Sequence, residues 1–318
     1  MTSNGIHHVT AISGRIDRTV DFYRRVLGLR LVKRTINYDD PTTYHLYFGD
    51  EVGAPGTILT FFPWPGGMRG RIGVGQAAVT AFLIPEGSLG FWVGRLIASG
   101  IRQEGPVRRF DEQVLSFADP DGMQLELVAT TAAGRLTGSG GGSVPEEHSI
   151  RGFHGVTLWL DGDPGTQHVL AGALGFQVHG EEGGRVRLVG SAAPGGVMDL
   201  RQVGGFWRGA SGVGTVHHVA FRAANGDAQE QIRRRLTDSG LAVTPVRDRQ
   251  YFRSIYFREP GGVLFEIATD GPGFAIDEAP ESLGGRLTLP AWLEAERARI
   301  EASLPAFPAE VEVVNAAG

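Results

Sequence analysis

Apolar positions along the chain recur in four units, each with a strand-like stretch, an amphipathic helix pattern and further strand-like stretches. In the first unit, an apolar stretch covers residues 6–10, and helix positions follow at steps of four, three and four: Ile16, Val20, Tyr23 and Leu27. This spacing keeps one face of a helix apolar. Gly28 comes next, where a residue in the left-handed conformation can end the helix.

The other three units repeat this design, with strand-like stretches that begin near residues 79, 152 and 216. The second helix is predicted to begin at Ser88 and the third near Pro164. The distance from the strand valine to the helix-ending glycine alternates between 19 and 21 residues: Val9 to Gly28, Val79 to Gly100, Val156 to Gly175 and Val219 to Gly240. This alternation indicates a duplicated half-chain, each half holding two units.

A Gly/Ser-rich stretch separates the two halves and has the composition of a flexible connector. We therefore predict an N-terminal pair of units over 1–136, a linker over 137–147, a C-terminal pair over 148–275 and an extension over 276–318. The extension contains a predicted helix from Leu289 to Leu304. The repeated order of strand, helix and strands predicts an α+β protein whose sheets curl and carry the helices on their outer faces.

Composition narrows the class of protein. Hydrophobic residues make up 42% and charged residues 20%, as in an ordinary folded protein. The formal net charge is −5, so the composition does not indicate a basic surface that binds nucleic acid. The sequence has no apolar run of membrane-spanning length and no signal-peptide pattern at residues 1–10, so we expect a cytoplasmic protein. Because the chain has no cysteine, any metal must be held by histidine and carboxylate.

Candidate ligands emerge when the units are aligned on their strand valines and hairpin prolines. The residue before each valine is, in chain order, His8, Ala78, Gly155 and His218. The hairpin prolines are Pro55, Pro120, Pro194 and Pro260, and the residues six positions after them are Phe61, Glu126, Leu200 and Glu266. Units one and four thus supply two imidazoles and one carboxylate, whereas units two and three supply only Glu126. We predict one complete metal site at His8, His218 and Glu266 and one incomplete site.

Two histidines and one carboxylate from separate strands form the facial set that holds non-haem Fe(II) and leaves coordination positions open. Mn(II) or Zn(II) can bind the same ligands, so the metal stays open at this point. An isolated histidine or glutamate in a strand is more often a hydrogen-bonded core or surface residue. That interpretation is given to five residues: His45, Glu126, His154, His168 and His179.

Four further residues lie near the predicted ligands in sequence. His7 and His217 directly precede the two histidines and could either support them or belong to the core. In a regular hairpin, Tyr256 lies across from Glu266 and can reach the same cavity, although it could equally be a packing residue. Arg249 precedes Tyr256 along the chain.

The chain resembles the vicinal oxygen chelate superfamily and, within it, the ring-cleaving dioxygenases that act on hydroquinones. The resemblance covers nearly the whole chain and rests on short motifs at 5–10, 44–48, 152–154, 217–221 and 260–266. It implies four βαβββ modules that form two curled mixed-sheet half-barrels with helices outside. It also implies Fe(II) at the three predicted ligands, and second-sphere roles for His7, His217, Arg249 and Tyr256.

The function that this resemblance implies is O2-dependent cleavage of a small aromatic diol, either hydroquinone or catechol. We also expect a homo-oligomer. One alternative is a glyoxalase-type isomerase, which commonly uses four protein ligands including two carboxylates, and Phe61 stands where the alignment places the second carboxylate. The other alternative is a metal-free drug-binding resistance protein, which would use the curled sheet as an aromatic pocket.

Overall fold

The computed structural model describes residues 5–138, 142–162 and 165–308. The predicted start of the third helix near Pro164, part of the predicted linker (139–141) and the end of the extension (309–318) lie outside the described residues. Within the described ranges, no helix is long and apolar enough to cross a membrane.

The first two units each contain four strands and one helix. Unit one comprises β1 (Ile6–Ser13), α1 (Ile16–Asp21) with a π-helical continuation (Phe22–Val26), β2 (Arg30–Asn37), β3 (Asp40–Gly49) and β4 (Ile58–Pro63). Unit two comprises β5 (Gln76–Pro85), a 3-10 turn (Glu86–Ser88), α2 (Leu89–Ala98), β6 (Gln103–Arg109), β7 (Glu112–Ala118) and β8 (Gln124–Thr130). Gly28 has φ +71° where α1 and its continuation end, as the pattern predicts.

The last two units repeat this order. Unit three comprises β9 (Phe153–Leu160), α3 (Gly165–His168) with a π-helical continuation (Val169–Ala173), β10 (Gln177–Glu182), β11 (Arg185–Val189) and β12 (Val197–Gln202). Unit four comprises β13 (Thr215–Ala223), α4 (Gly226–Asp238), β14 (Arg247–Asp248), β15 (Phe252–Arg258) and β16 (Leu264–Pro272).

These strands form two mixed eight-stranded sheets, which confirms the predicted α+β class with curled half-barrels. The first sheet has the order β14-β15-β16-β13-β1-β4-β3-β2 and combines units four and one. The second has the order β10-β11-β12-β9-β5-β8-β7-β6 and combines units three and two. Each sheet therefore takes one unit from each half of the sequence, and antiparallel pairs of first strands, β1 with β13 and β5 with β9, join the units.

The segments outside the units pack against them. Short 3-10 turns lie at Ala132–Arg135, Glu146–His148, Phe274–Ile276, Pro280–Ser282 and Ala291–Glu296. The described end of the predicted linker is not a free connector, because Val144 is buried and Ser143 donates to the carbonyl of Arg24 at 2.9 Å. The predicted helix at 289–304 is a 3-10 turn followed by α5 (Arg297–Ser303), whose Ile300 packs with Ile36 of β2.

Candidate metal centre

His8, His218 and Glu266 come together on the inner face of the first sheet. One potential ligand atom from each lies within 4.8 Å of the other two, and all three side chains are buried. Strand register explains this meeting. Ala220 of β13 pairs with His8 of β1 on one side and with Glu266 of β16 on the other, so these three residues form a row that shares a face. His218, two residues before Ala220, shares that face too.

The atoms that meet are nitrogens and oxygens without other partners. Glu266 Oε2 lies 3.4 Å from Nε2 of His8 and 2.8 Å from Nε2 of His218, while its Oε1 accepts a hydrogen bond from Ser254. Within the described part of the chain, His218 Nε2 and Glu266 Oε2 are buried and have no hydrogen-bond partner outside this cluster. Buried lone pairs that converge in this way are unfavourable unless a cation binds them. The donor set therefore fits a divalent metal ion.

Two β-bulges place a second histidine against each of these imidazoles. The register between β1 and β13 shifts at His7 and again at His217, so each is an extra residue in its strand. His7 Nδ1 lies 2.9 Å from His8 Nδ1, and His217 Nδ1 lies 2.7 Å from His218 Nδ1. These contacts orient the inner rings with Nε2 toward Glu266.

His7 and His217, which we call the outer histidines of the two pairs, are kept neutral by burial. It lowers the pKa of His7 well below its ordinary range, with the neighbouring His8 acting in the same direction. It also lowers the pKa of His217 to about 3, again reinforced by the adjacent His218. A neutral outer ring can accept the Nδ1–H of the inner ring, which leaves the inner Nε2 lone pair free for a metal.

A cavity of about 330 Å³ opens beside this cluster. Its walls are largely aromatic, with a few charged groups: Tyr38, Phe62, Trp64, Phe252, Tyr256, Asp39, Arg247 and Arg249. A volume of this size and an apolar lining suit a small aromatic molecule. Phe62 and Trp64, but not Phe61, belong to the lining, since Phe61 is fully buried against Tyr23.

Tyr256 lies across from Glu266 in the β15–β16 hairpin, as regular pairing predicts. Arg249 donates from Nε to the Tyr256 hydroxyl oxygen at 3.1 Å and from Nη2 to Asp39 at 2.7 Å. Burial, reinforced by the charge of Glu266, raises the pKa of Tyr256 above its ordinary value. Since its oxygen already accepts from Arg249, the phenol keeps a proton that it can donate into the cavity.

His45 is a hydrogen-bonded residue, as the sequence interpretation expects, and it also lines the cavity, which that interpretation did not foresee. Its Nε2 lies 2.8 Å from Thr60 Oγ1, and the hydroxyl of Tyr47 lies 2.8 Å from its Nδ1. Burial lowers its pKa well below the ordinary range. With both nitrogens occupied, His45 presents its ring to the cavity beside Phe62, at 4.3 Å between centroids.

The register corrects three positions of the sequence alignment. Thr60, not Phe61, is the counterpart of Glu266, because Thr60, Thr10 and His218 form a row equivalent to that of Glu266, Ala220 and His8. The second sheet has two corresponding rows. One row contains Glu126, Ala81 and Gly155, and the other contains Asp199, Thr157 and Val79. Val79 rather than Ala78, and Asp199 rather than Leu200, are therefore the equivalent residues there.

The second sheet thus has carboxylates but neither histidine. Glu126 is bound by Arg109, and Asp199 is bound by Arg187 at 2.8 Å. A side chain at Gly155 has no room, since a Cβ there would lie 2.2 Å from the carbonyl oxygen of Val197. Among the described residues, the cluster in the first sheet is the one group of three that could hold a metal.

Two curled sheets built from paired βαβββ units, with an open three-residue cluster in one of them, define a protein of the vicinal oxygen chelate fold. The model of the Glyoxalase/Bleomycin resistance protein/Dioxygenase superfamily matches residues 5–127 and 170–267. The chain belongs to this superfamily.

Relatives within the superfamily match over nearly their whole length. A Bacillus subtilis protein provisionally named ring-cleaving dioxygenase MhqO is 46% identical over 95% of this chain and 96% of its own. The chlorohydroquinone/hydroquinone 1,2-dioxygenase of Sphingobium indicum is 36% identical over 91% and 92%. A crystal structure of a provisionally named Bacillus subtilis dioxygenase has a TM-score of 0.93 and 45% identity, covering 97% of this chain and 99% of that one.

Proposed function

We propose that this protein is a non-haem Fe(II)-dependent dioxygenase that cleaves the ring of a hydroquinone-type or catechol-type diol with O2. The observation that carries the proposal is the convergence of His8, His218 and Glu266 beside an aromatic cavity, with His218 Nε2 and Glu266 Oε2 buried and without a hydrogen-bond partner outside the cluster. The names of the full-length relatives support ring cleavage as the reaction class. Mn(II) fits the same ligands, and Fe(II) is proposed because two histidines and one carboxylate with open positions are the ligand set typical of non-haem Fe(II) oxygenases.

When bound, the metal would supply open positions at which a phenolic oxygen and O2 can react. The chain's own groups bind and orient the substrate. The faces of Phe62 and His45 and the side chain of Phe252 confine a flat ring in the cavity. Tyr256 donates its hydroxyl proton to a substrate oxygen, and the charge of Arg249 beside it favours negative charge that develops there.

The outer histidines support this arrangement from opposite sides. His7 is 2% exposed and packs on Phe252, so it holds His8 in place from the protein interior. His217 is half-buried and lines the cavity, so it can orient His218 and also exchange a hydrogen bond with a bound molecule. We therefore assign a supporting role to His7 and a supporting and substrate-binding role to His217.

The structure favours neither alternative. A four-ligand isomerase needs a second carboxylate, and the position equivalent to Glu266 holds Thr60, whose hydroxyl donates to Thr10 at 2.8 Å. A metal-free binder has no need for ligand atoms of two histidines and one glutamate that converge within 4.8 Å.

The test is oxygen uptake by protein loaded anaerobically with Fe(II) and offered methylhydroquinone, chlorohydroquinone and catechol in turn. Glu266→Gln and His218→Ala should lose both bound iron and uptake. The matched control is Glu126→Gln, which changes the equivalent carboxylate of the second sheet and should keep one iron per chain. Stoichiometric iron without uptake on any of these rings would overturn the proposed reaction, and equal loss of iron in the control would overturn the proposed site.

A further inference from the structure

The start of the C-terminal extension is bound to the wall of the cavity through Asp277. Its Oδ2 accepts hydrogen bonds from the hydroxyl of Tyr251 at 2.9 Å and from the side-chain amide of Gln250 at 3.2 Å. Its Oδ1 accepts from Lys33 Nζ of β2 at 2.6 Å, and Glu278 binds the same ammonium group. Lys33 is fully buried, so this ion pair fixes the extension against the first sheet.

The two residues that Asp277 holds lie in the short loop between β14 and β15. Gln250 has φ +66°, a conformation that residues with side chains rarely adopt unless their surroundings impose it. The backbone N–H of Gln250 donates to Asp248 Oδ1 at 2.7 Å, and the backbone N–H of Tyr251 donates to the carbonyl oxygen of Arg249 at 2.7 Å. Asp277 is the residue that binds the side chains of both Gln250 and Tyr251, and the hydroxyl of Tyr251 also lies 3.1 Å from Thr288 Oγ1 in the extension.

This loop carries the residues that form one wall of the candidate active site. Arg249, directly before Gln250, reaches the hydroxyl of Tyr256. Phe252, directly after Tyr251, packs against the rings of His7 and His8 at 5.1 and 5.0 Å between centroids. A shift of this loop would therefore move both the guanidinium group beside Tyr256 and the ring that supports His8.

We propose that Asp277 is a positioning residue that holds the segment from Arg249 to Phe252 in its active geometry. The extension thereby serves as a brace for the cavity. The effect on catalysis rests on the proposed function, whereas the effect on the loop does not. Glu278 provides a matched comparison, because it shares Lys33 with Asp277 but has no described contact with the loop.

The experiment compares Asp277→Asn with Glu278→Gln in the full-length protein, since each removes one carboxylate from Lys33. The first readout is hydrogen–deuterium exchange of the metal-free proteins. Asp277→Asn should increase exchange across the Arg249–Phe252 segment by about tenfold, as expected for lost charge-assisted hydrogen bonds. Glu278→Gln should leave this segment within about twofold of the wild type. Tyr251→Phe removes the contacts of the hydroxyl with Asp277 and Thr288 but keeps the ion pair of Asp277 with Lys33, and it should give a smaller increase in the same segment.

The second readout is steady-state kinetics of the Fe(II)-loaded proteins, with iron content measured in each. Asp277→Asn should lower kcat/KM by about tenfold at full iron occupancy, because small displacements of positioned groups are expensive for catalysis. Equal effects of the two carboxylate variants on exchange would overturn the proposal, since Asp277 would then act only on stability. If exchange in the Arg249–Phe252 segment increases in Asp277→Asn alone but kcat/KM does not change, the proposed link of Asp277 to catalysis is overturned. Absence of activity in the wild type would refute the proposed function while the exchange result still decided the role of Asp277 in the loop.

Discussion

Replacing Glu112 by glutamine should destabilise the second sheet and leave the metal centre unchanged. Glu112 accepts a hydrogen bond from His154 Nε2 at 2.9 Å and from Arg187 Nη1 at 2.6 Å. Burial alone would raise the pKa of this carboxyl, but the hydrogen bonds and charges of His154 and Arg187 lower it to about 2. Glu112 and Asp199 together neutralise Arg187, so glutamine would leave the guanidinium with one anionic partner.

The size of the effect follows from this pKa. A carboxyl whose pKa falls from an ordinary 4.5 to about 2 on folding stabilises the folded state by about 3 kcal/mol when ionised. The stabilisation is present above pH 4.5 and is lost as the pH falls from 4.5 toward 2, because the depressed pKa belongs to the folded state. At neutral pH, the variant should therefore lose about 2 to 3 kcal/mol in the free energy of unfolding.

The assay is urea denaturation of wild type and Glu112→Gln at several pH values between 7 and 3. The difference in unfolding free energy should be constant from pH 7 to 5 and shrink below pH 4.5. Exposed Glu104, in the same sheet, provides the control, and Glu104→Gln should change stability by less than about 0.5 kcal/mol. A difference that does not change with pH, or a loss of bound iron in Glu112→Gln, would refute the reasoning.

Three further predictions concern the site and its counterpart. Tyr256→Phe should lower kcat by about 10- to 100-fold at unchanged iron content, because it removes a proton donor from the cavity; kinetics and iron analysis check this. Ala220 lies between His8 and Glu266, so Ala220→Val should crowd these side chains and weaken metal binding at least about tenfold, measured by titration with Fe(II). The control is Ala81→Val at the equivalent position of the second sheet, which should affect stability alone. Gly155→Ala should lower the free energy of unfolding by about 1 to 3 kcal/mol, measurable by denaturation.

The repeats in the sequence predicted the α+β class with curled sheets, and they predicted that His8, His218 and Glu266 lie together; the arrangement as two half-barrels of βαβββ modules came from the resemblance. Apolar spacing reveals each unit, and the strand period of two determines which residues share a face. The alignment failed by one residue at Phe61 because it assumed equal hairpin lengths in all units, whereas Thr60 lies only five residues after Pro55. A one-residue difference in register exchanges the two faces of a strand.

Other features of the site depend on contacts that no local pattern encodes. The bulges at His7 and His217 arise from the pairing of β1 with β13, two strands about two hundred residues apart in the chain. The repeated His-His pair was the signal that could have revealed them. The bond between Asp277 and Tyr251 likewise joins the extension to a loop that is distant from it in the pattern of repeats.

The residues at equivalent positions of the two sheets explain why we propose one metal site in this chain and not two. Each sheet has two equivalent rows, and the first keeps both histidines with one carboxylate, while the second keeps both carboxylates with no histidine. Arginines bind those carboxylates, so their charge is already balanced within the protein. A histidine introduced at Gly155 would clash with the backbone of Val197, and a metal ion would also have to displace Arg109 from Glu126. The carboxylates of the second sheet therefore form ion pairs, and among the described residues the proposed metal site lies in the first sheet alone.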